Sequence, residues 1–207
     1  MRTLEVFAEV LCPFAYVGLR TVLDRRAELG LDEPVLRVRS WPLELINGAP
    51  LDPAHIAAEI VSLRASVRPD LFTGFDVSTF PSTSMPAYAV VAAAEAVADP
   101  RLAEDVAMAL RAAVFEEGLD IGRPEVVGRI ADRFGVTPLD AAATRAAVDA
   151  DLADGRARGV VGSPHFFADD TTSWFCPGLD ISRDSRGDFV IAWKQGSEAF
   201  LDHVLAQ

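Results

Sequence analysis

Two cysteines, three histidines and a scatter of carboxylates are the groups of this chain that could do chemistry. The first cysteine stands in VFAEVLCPFAYVGLR, residues 6–20, where an alternating apolar run reaches Cys12-Pro13 and turns into a helical pattern. A thiol at the start of a helix faces unpaired backbone N–H groups and the positive end of the helix dipole. Such surroundings lower a cysteine pKa from about 8.5 into a range of roughly 3.5 to 7.5. Pro13 suits the first helical turn, because the N–H it lacks would have had no partner there. The pattern therefore points to Cys12 as a nucleophilic thiolate. The plain alternative is a buried, inert cysteine, since free Cys is among the most buried residue types. Three residues further on stands Ala15 rather than a second cysteine. A mixed disulfide on Cys12 would have no adjacent thiol to resolve it. Glutathione, mycothiol or another low-molecular-weight thiol would have to do so as co-substrate.

Other residues could serve that thiol. Glu9 precedes Cys12 by three positions and could assist proton transfer, though its charge would oppose the thiolate; otherwise it is a solvated strand-end residue. Tyr16 could hydrogen-bond a ligand or belong to the core. His165 could orient a thiol ligand or act as acid or base, unless strand alternation buries it facing away. Ser82, Thr83 and Ser84 precede a helix, where a thiol cofactor's carboxylate could bind or where they simply cap it. His55 and His203 read as helix-surface residues. The histidines and cysteines have no ligand spacing, so no metal is expected.

The elements that must position these groups follow from periodicity. Residues 4–10 alternate as a strand apolar on both faces, as in a parallel sheet. A helix follows from Pro13 to a cap at Gly30. Residues 35–46 form a second strand candidate. From Asp52 to about Gly155 the pattern is helical, with Asp52-Pro53, Arg123-Pro124 and Thr137-Pro138 as start signals. Strand signals return at 159–170, 172–178 and 188–194, and residues 197–206 close with an amphipathic helix. Strands flanking a helical block indicate an α/β domain with an insertion. The 207 residues carry a net charge of −12, which disfavours nucleic acid and anionic membranes. No apolar run is long enough to span a bilayer, and the N-terminus lacks a signal peptide's pattern. The expected location is cytoplasmic, where cysteines tend to be free or redox-active.

Two motifs now bear on one another. Glu9, Cys12, Pro13, Phe14, Tyr16 and Gly18 form acidic-x-x-Cys-Pro-aromatic-x-Tyr-x-Gly, and Gly159, Val160, Gly162 and Pro164 form Gly-Val-x-Gly-x-Pro. Together, at opposite ends of a helical block, they resemble the DsbA-like family of the thioredoxin superfamily, in its FrnE-like and kappa glutathione transferase-like branch. The Cys-Pro-Phe-Ala motif departs from the family at Ala15, where a resolving cysteine is common. The resemblance implies a thioredoxin-like domain over 1–50 and 156–207 and an inserted helical domain over 51–155. It implies a cis peptide bond before Pro164, lying against Cys12. Ser163 would then offer its N–H and hydroxyl to a substrate. Phe14, Tyr16, Pro13 and His165 complete the substrate-binding set. In the thioredoxin sheet, Cys176 would lie two strands from Cys12, about 9–10 Å away by two inter-strand steps. A disulfide needs Cα atoms within roughly 7 Å, so Cys176 is expected to be a small apolar strand residue. The resulting expectation is a thiol–disulfide oxidoreductase that uses Cys12 alone. Its partners would be a small-molecule thiol or a protein disulfide, with a homodimer possible and no tightly bound cofactor. One alternative resembles kappa glutathione transferases and hydroxychromene-carboxylate isomerases, which use a bound thiol cofactor and usually a serine where Cys12 stands. The other is a catalytically inactive binding module.

Overall fold

Because both faces of TLEVFA are apolar or nearly so, the segment can lie at the centre of a sheet, and it does. The computed structural model describes residues 1–206. Strand β1 (Thr3–Ala8) pairs in parallel with β2 (Val35–Ser40), Thr3 opposite Val35 and Ala8 opposite Ser40. A parallel pair needs a crossover, and helix α1 (Pro13–Glu28) provides it. Gly30 follows at φ +64, a conformation that glycine adopts without penalty. On the other side of β1 lies β3 (His165–Phe167), antiparallel, and beyond it β4 (Ser173–Phe175). The sheet order is β2-β1-β3-β4.

Between β2 and β3 the chain is helical: α2 (Leu43–Asn47), α3 (Pro53–Ser66), α4 (Met85–Ala96), α5 (Pro100–Phe115), α6 (Pro124–Arg133) and α7 (Ala141–Ala157). Asp52 and Asp99 cap α3 and α5 by accepting backbone N–H groups of the first turn. Two boundaries differ from the periodicity. The second strand ends at Ser40 rather than running to residue 46, because Pro42 cannot donate to a ladder and instead precedes the first turn of α2. Helix α7 starts after Asp140, whose side chain accepts from Ala143 N–H, and not at Thr137-Pro138. Glu104 on α5 binds the sheet directly. Its carboxylate receives two hydrogen bonds from Arg26 of α1, at 2.8 and 2.7 Å, and one from the Leu36 amide of β2 at 2.6 Å. One apolar core runs from Phe7 and Trp41 on the sheet side through Ile60, Leu110 and Val148 of the helices.

The C-terminal strands depart furthest from expectation. The ladder begins at His165 rather than at 159, because Pro164 has no N–H. Strands β5 (Leu179–Arg183) and β6 (Phe189–Trp193) form a separate antiparallel pair instead of extending the sheet. Strand β5 went unread because LDISR buries only Leu179, so its strand character comes from β6 and not from its own alternation. Helix α8 (Glu198–Leu205) closes over Phe166 through Phe200. No helix among the described residues is long and apolar enough to cross a membrane.

Candidate active site

Chain direction brings the two motifs together. The loop leaving β1 delivers Cys12 to the N-cap of α1, and Pro13 occupies the first helical position. The Ser163–Pro164 peptide bond at the mouth of β3 is cis. Across this gap the Cys12 thiol donates to the Ser163 carbonyl over 3.4 Å. Phe14 packs, half-buried, at the rim of both apolar clusters.

The electrostatics differ from what the helix start alone dictates. Cys12 is 5% exposed. Burial pushes its pKa up to about 12, and the charges of Glu59 and Glu9 add to that, against partial relief from Ser163 and the Ala15 backbone. The helix terminus is where the sequence placed it, but removing the thiolate from water costs more than one helix end returns. In this structure Cys12 is a neutral thiol, not the expected resting thiolate.

Glu9 is neither solvated nor bonded to the thiol. It is fully buried, and burial raises its pKa despite backbone hydrogen bonds. Its carboxylate accepts from Leu11 N–H at 3.0 Å and Leu43 N–H at 2.8 Å, pinning the Cys12 loop to α2. Ser84 Oγ lies 3.3 Å from Glu9 Oε2 and 2.9 Å from Glu44 Oε1. One hydroxyl proton can serve only one carboxylate as donor, and the shorter distance is to Glu44. Thr83 and Ser84 spend their groups on Glu44, so the chain's own carboxylate fills the helix start proposed for a ligand.

Two further site expectations are corrected by packing. Tyr16 is a core ring, stacked on Phe115 at 5.2 Å and edge-on to Phe72 at 5.7 Å. His165 is buried with both ring nitrogens engaged, Nδ1 with the Val161 amide at 3.3 Å and Nε2 with Ser173 Oγ at 3.2 Å. It stacks on Phe167, while Cys12 belongs to the cluster containing Phe166, whose side chain alternates to the other face. The Ser163 hydroxyl accepts from the Glu9 amide at 2.9 Å, which leaves its own proton to donate. Of the expected set, Cys12, Pro13, Ser163 and Pro164 meet at one point with Phe14 beside them; Tyr16 and His165 do not join them.

Two residues escaped sequence reasoning. Glu59 on α3 is 8% exposed and lies 3.4 Å from His55, and burial raises its pKa to about 7 against partial relief from the charge of Arg183. Arg111 on α5 is fully buried; Nη1 donates to the Ala107 carbonyl at 2.9 Å and Nη2 to that of Glu9 at 3.5 Å, while Nε has no partner. Both had a signal: each is a charged residue at helical spacing within an apolar stripe, Glu59 among Ile56, Ile60 and Leu63, and Arg111 among Ala107, Leu110 and Val114. The second cysteine, Cys176, lies one residue beyond β4 at φ +42, and its amide donates to the Pro164 carbonyl at 2.8 Å. It is thus at a kink after the strand, not within it.

Comparison with known proteins agrees with this architecture. A family profile described as DSBA-like thioredoxin domain matches residues 3–181. No curated protein matches the chain. Among solved structures, it is similar to a 2-hydroxychromene-2-carboxylate isomerase, with 17% identity, TM-score 0.58, and 84% of this chain and 88% of that one covered. It is also similar to the cytosolic disulfide reductase DsbM from Pseudomonas aeruginosa, with 19% identity, TM-score 0.56 and 97% of each chain covered. The same reductase with GSH matches at 21% identity and TM-score 0.54, over 79% of this chain and 84% of that one.

Proposed function

The chain belongs to the DSBA-like thioredoxin family, and on that premise we propose that it is a cytoplasmic thiol–disulfide oxidoreductase acting through Cys12. The observation that carries this reading is the Cys12 thiol at the start of α1, hydrogen-bonded to the carbonyl of Ser163 beside the cis bond to Pro164. The Cys12 sulfur attacks one sulfur of an incoming disulfide, and its proton leaves with the displaced thiol. With Ala15 beside it, Cys12 then carries a mixed disulfide that a small thiol of the glutathione type resolves. The raised pKa means that the substrate meets a protonated, shielded thiol, so activation accompanies docking at the Ser163–Pro164 edge. The reductase crystallised with GSH makes a small thiol a reasonable co-substrate here.

A second reading is favoured by that same neutral thiol. A protonated Cys12 is a hydrogen-bond donor, the role a hydroxyl would play toward the sulfur of a bound thiol cofactor. The likeness to the isomerase is compatible with it. One experiment separates the two. The native protein is incubated with glutathione disulfide and the adducts are mapped by peptide mass spectrometry, while glutathione binding is followed by calorimetry. The oxidoreductase reading expects an adduct at Cys12 that is lost in Cys12→Ser, along with glutathione-dependent reduction of a disulfide substrate. Saturable glutathione binding with Cys12 unmodified sinks it in favour of the second reading.

A further inference from the structure

We propose that Cys176 is the resolving thiol of the site, closing a transient disulfide onto Cys12 beside the Ser163–Pro164 dipeptide. This rests on the oxidoreductase reading above but moves the resolving step from the external thiol to Cys176, the external thiol then reducing the resulting disulfide. Two contacts carry it: the Cys12 sulfur is hydrogen-bonded to the Ser163 carbonyl at 3.4 Å, and the Cys176 amide to the next carbonyl, that of Pro164, at 2.8 Å. The two cysteines thus meet adjacent carbonyls of one dipeptide. Strand order alone separates them by two inter-strand steps, since β3 lies between β1 and β4. That separation does not hold at the site. The chain leaves β1 at Ala8, and by Cys12 the loop has carried the sulfur to the mouth of β3. The β3–β4 step of about 4.8 Å then separates the Ser163–Pro164 backbone from that of Cys176.

The backbone of Cys176 supports a dedicated position. Its φ of +42 is a left-handed conformation that L-residues seldom adopt. The tertiary structure holds it there, and Pro177 and Gly178 turn the chain away immediately afterwards. The Cys176 side chain packs half-buried against the core, and a charge on Cys12 is felt there. On its outer side it borders an open groove of about 530 Å3 that also presents Lys194 and His203, the former the chain's single lysine. An anionic small thiol has access through that groove.

The chemistry balances as two exchanges. Cys12–SH and RS–SR give Cys12–S–SR and RSH. Cys176–SH then attacks the Cys12 sulfur, giving Cys12–S–S–Cys176 and a second RSH. The external disulfide is reduced to two thiols, and the protein is oxidised by the same two electrons. Two molecules of a small thiol return it to the dithiol form.

The test uses the full chain with glutathione disulfide as the probe, acid quenching at intervals, and non-reducing peptide mapping. The native protein is expected to show a Cys12 glutathione adduct that gives way to a Cys12–Cys176 cross-link. In Cys176→Ser the adduct persists about tenfold longer or more. Cys176→Gly suits the positive φ and repeats the test in a variant whose backbone is unstrained. Adducts at Cys12 of equal lifetime in native and variant proteins, with no cross-link, overturn the inference and leave the one-thiol reading standing. No adduct at Cys12 in any of them overturns both.

Discussion

At the scale of single residues, the controlling quantity is the cost of burying charge. Cys12 combines a helix start with near-complete burial, and burial wins, placing its pKa at about 12 against an ordinary value of 9.0. Alkylation of Cys12 in the native protein is therefore expected to stay slow at pH 7 to 8 and to accelerate in unfolded protein; fast native alkylation below pH 7, read by peptide mass spectrometry, contradicts the geometry. The same principle sets the pH dependence of stability. Glu59 has its pKa raised from 4.5 to about 7, so the folded state keeps a proton that the unfolded state has released. Its contribution to stability is full below pH 4.5 and is lost as pH rises through 7. Glu59→Gln should flatten that slope and, at pH 8, stabilise the protein by about 1–3 kcal/mol, since a buried carboxylate no longer has to ionise. Urea unfolding of both proteins at pH 5 and pH 8 measures it, and parallel pH profiles would show that Glu59 does not titrate in this range.

At the scale of elements, the site depends on how α1, α5 and α7 seat on the sheet. Glu104 joins α5 to α1 and to β2 through Arg26 and the Leu36 amide, and both charged partners are largely buried. Removing one partner leaves the other charge uncompensated, so Glu104→Ala is expected to cost about 3–5 kcal/mol. Denaturant midpoints check it, and a loss below 1 kcal/mol would place this pair among surface ion pairs. The seat of α7 is set by a missing side chain. A Cβ on Gly155 would lie 2.4 Å from the Trp41 ring and 3.1 Å from Phe7. Gly155→Ala is therefore expected to destabilise by about 1–3 kcal/mol even though alanine is the better helix former, with Trp41 displaced in the near-UV circular dichroism spectrum. An unchanged spectrum and midpoint would mean that the helix seat has slack.

At the scale of the whole molecule, charge is the dominant property. A net charge of −12 repels anionic substrates before they reach the site. Oxidised glutathione is anionic, so its rate of adduct formation at Cys12 should rise with added salt as the repulsion is screened over a Debye length of about 10 Å at 0.1 M. Stopped-time mapping between 10 and 200 mM salt reads the slope. A rate that falls with salt would show that Lys194 and its groove govern the encounter instead. The sheet order also belongs to this scale. It sets β3 between β1 and β4, so the Ser163 carbonyl meets the Cys12 thiol and the Pro164 carbonyl meets the Cys176 amide, although 164 positions separate the two cysteines in sequence.

By itself the sequence determined the elements that carry their own pattern. The alternation of Leu4, Val6 and Ala8, the Cys12-Pro13 helix start, the aspartate cap at Asp52, and the strand–helical block–strand order were all legible, because they rest on contacts between near neighbours. The family was legible too, since its two motifs are contiguous words. Tertiary structure decided the rest. Whether Cys12 is charged depends on how much water α3 and α5 leave around it, and no local pattern encodes that. His165 and Tyr16 stand next to motif residues, yet packing against Phe167, Ser173 and Phe115 turns them inward. Strand β5 exists only because β6 supplies its partner. The approach of Cys12 to the Ser163 carbonyl follows from where a loop ends, not from strand order. Short-range preferences are written residue by residue, whereas desolvation and long-range approach are properties of the assembled chain.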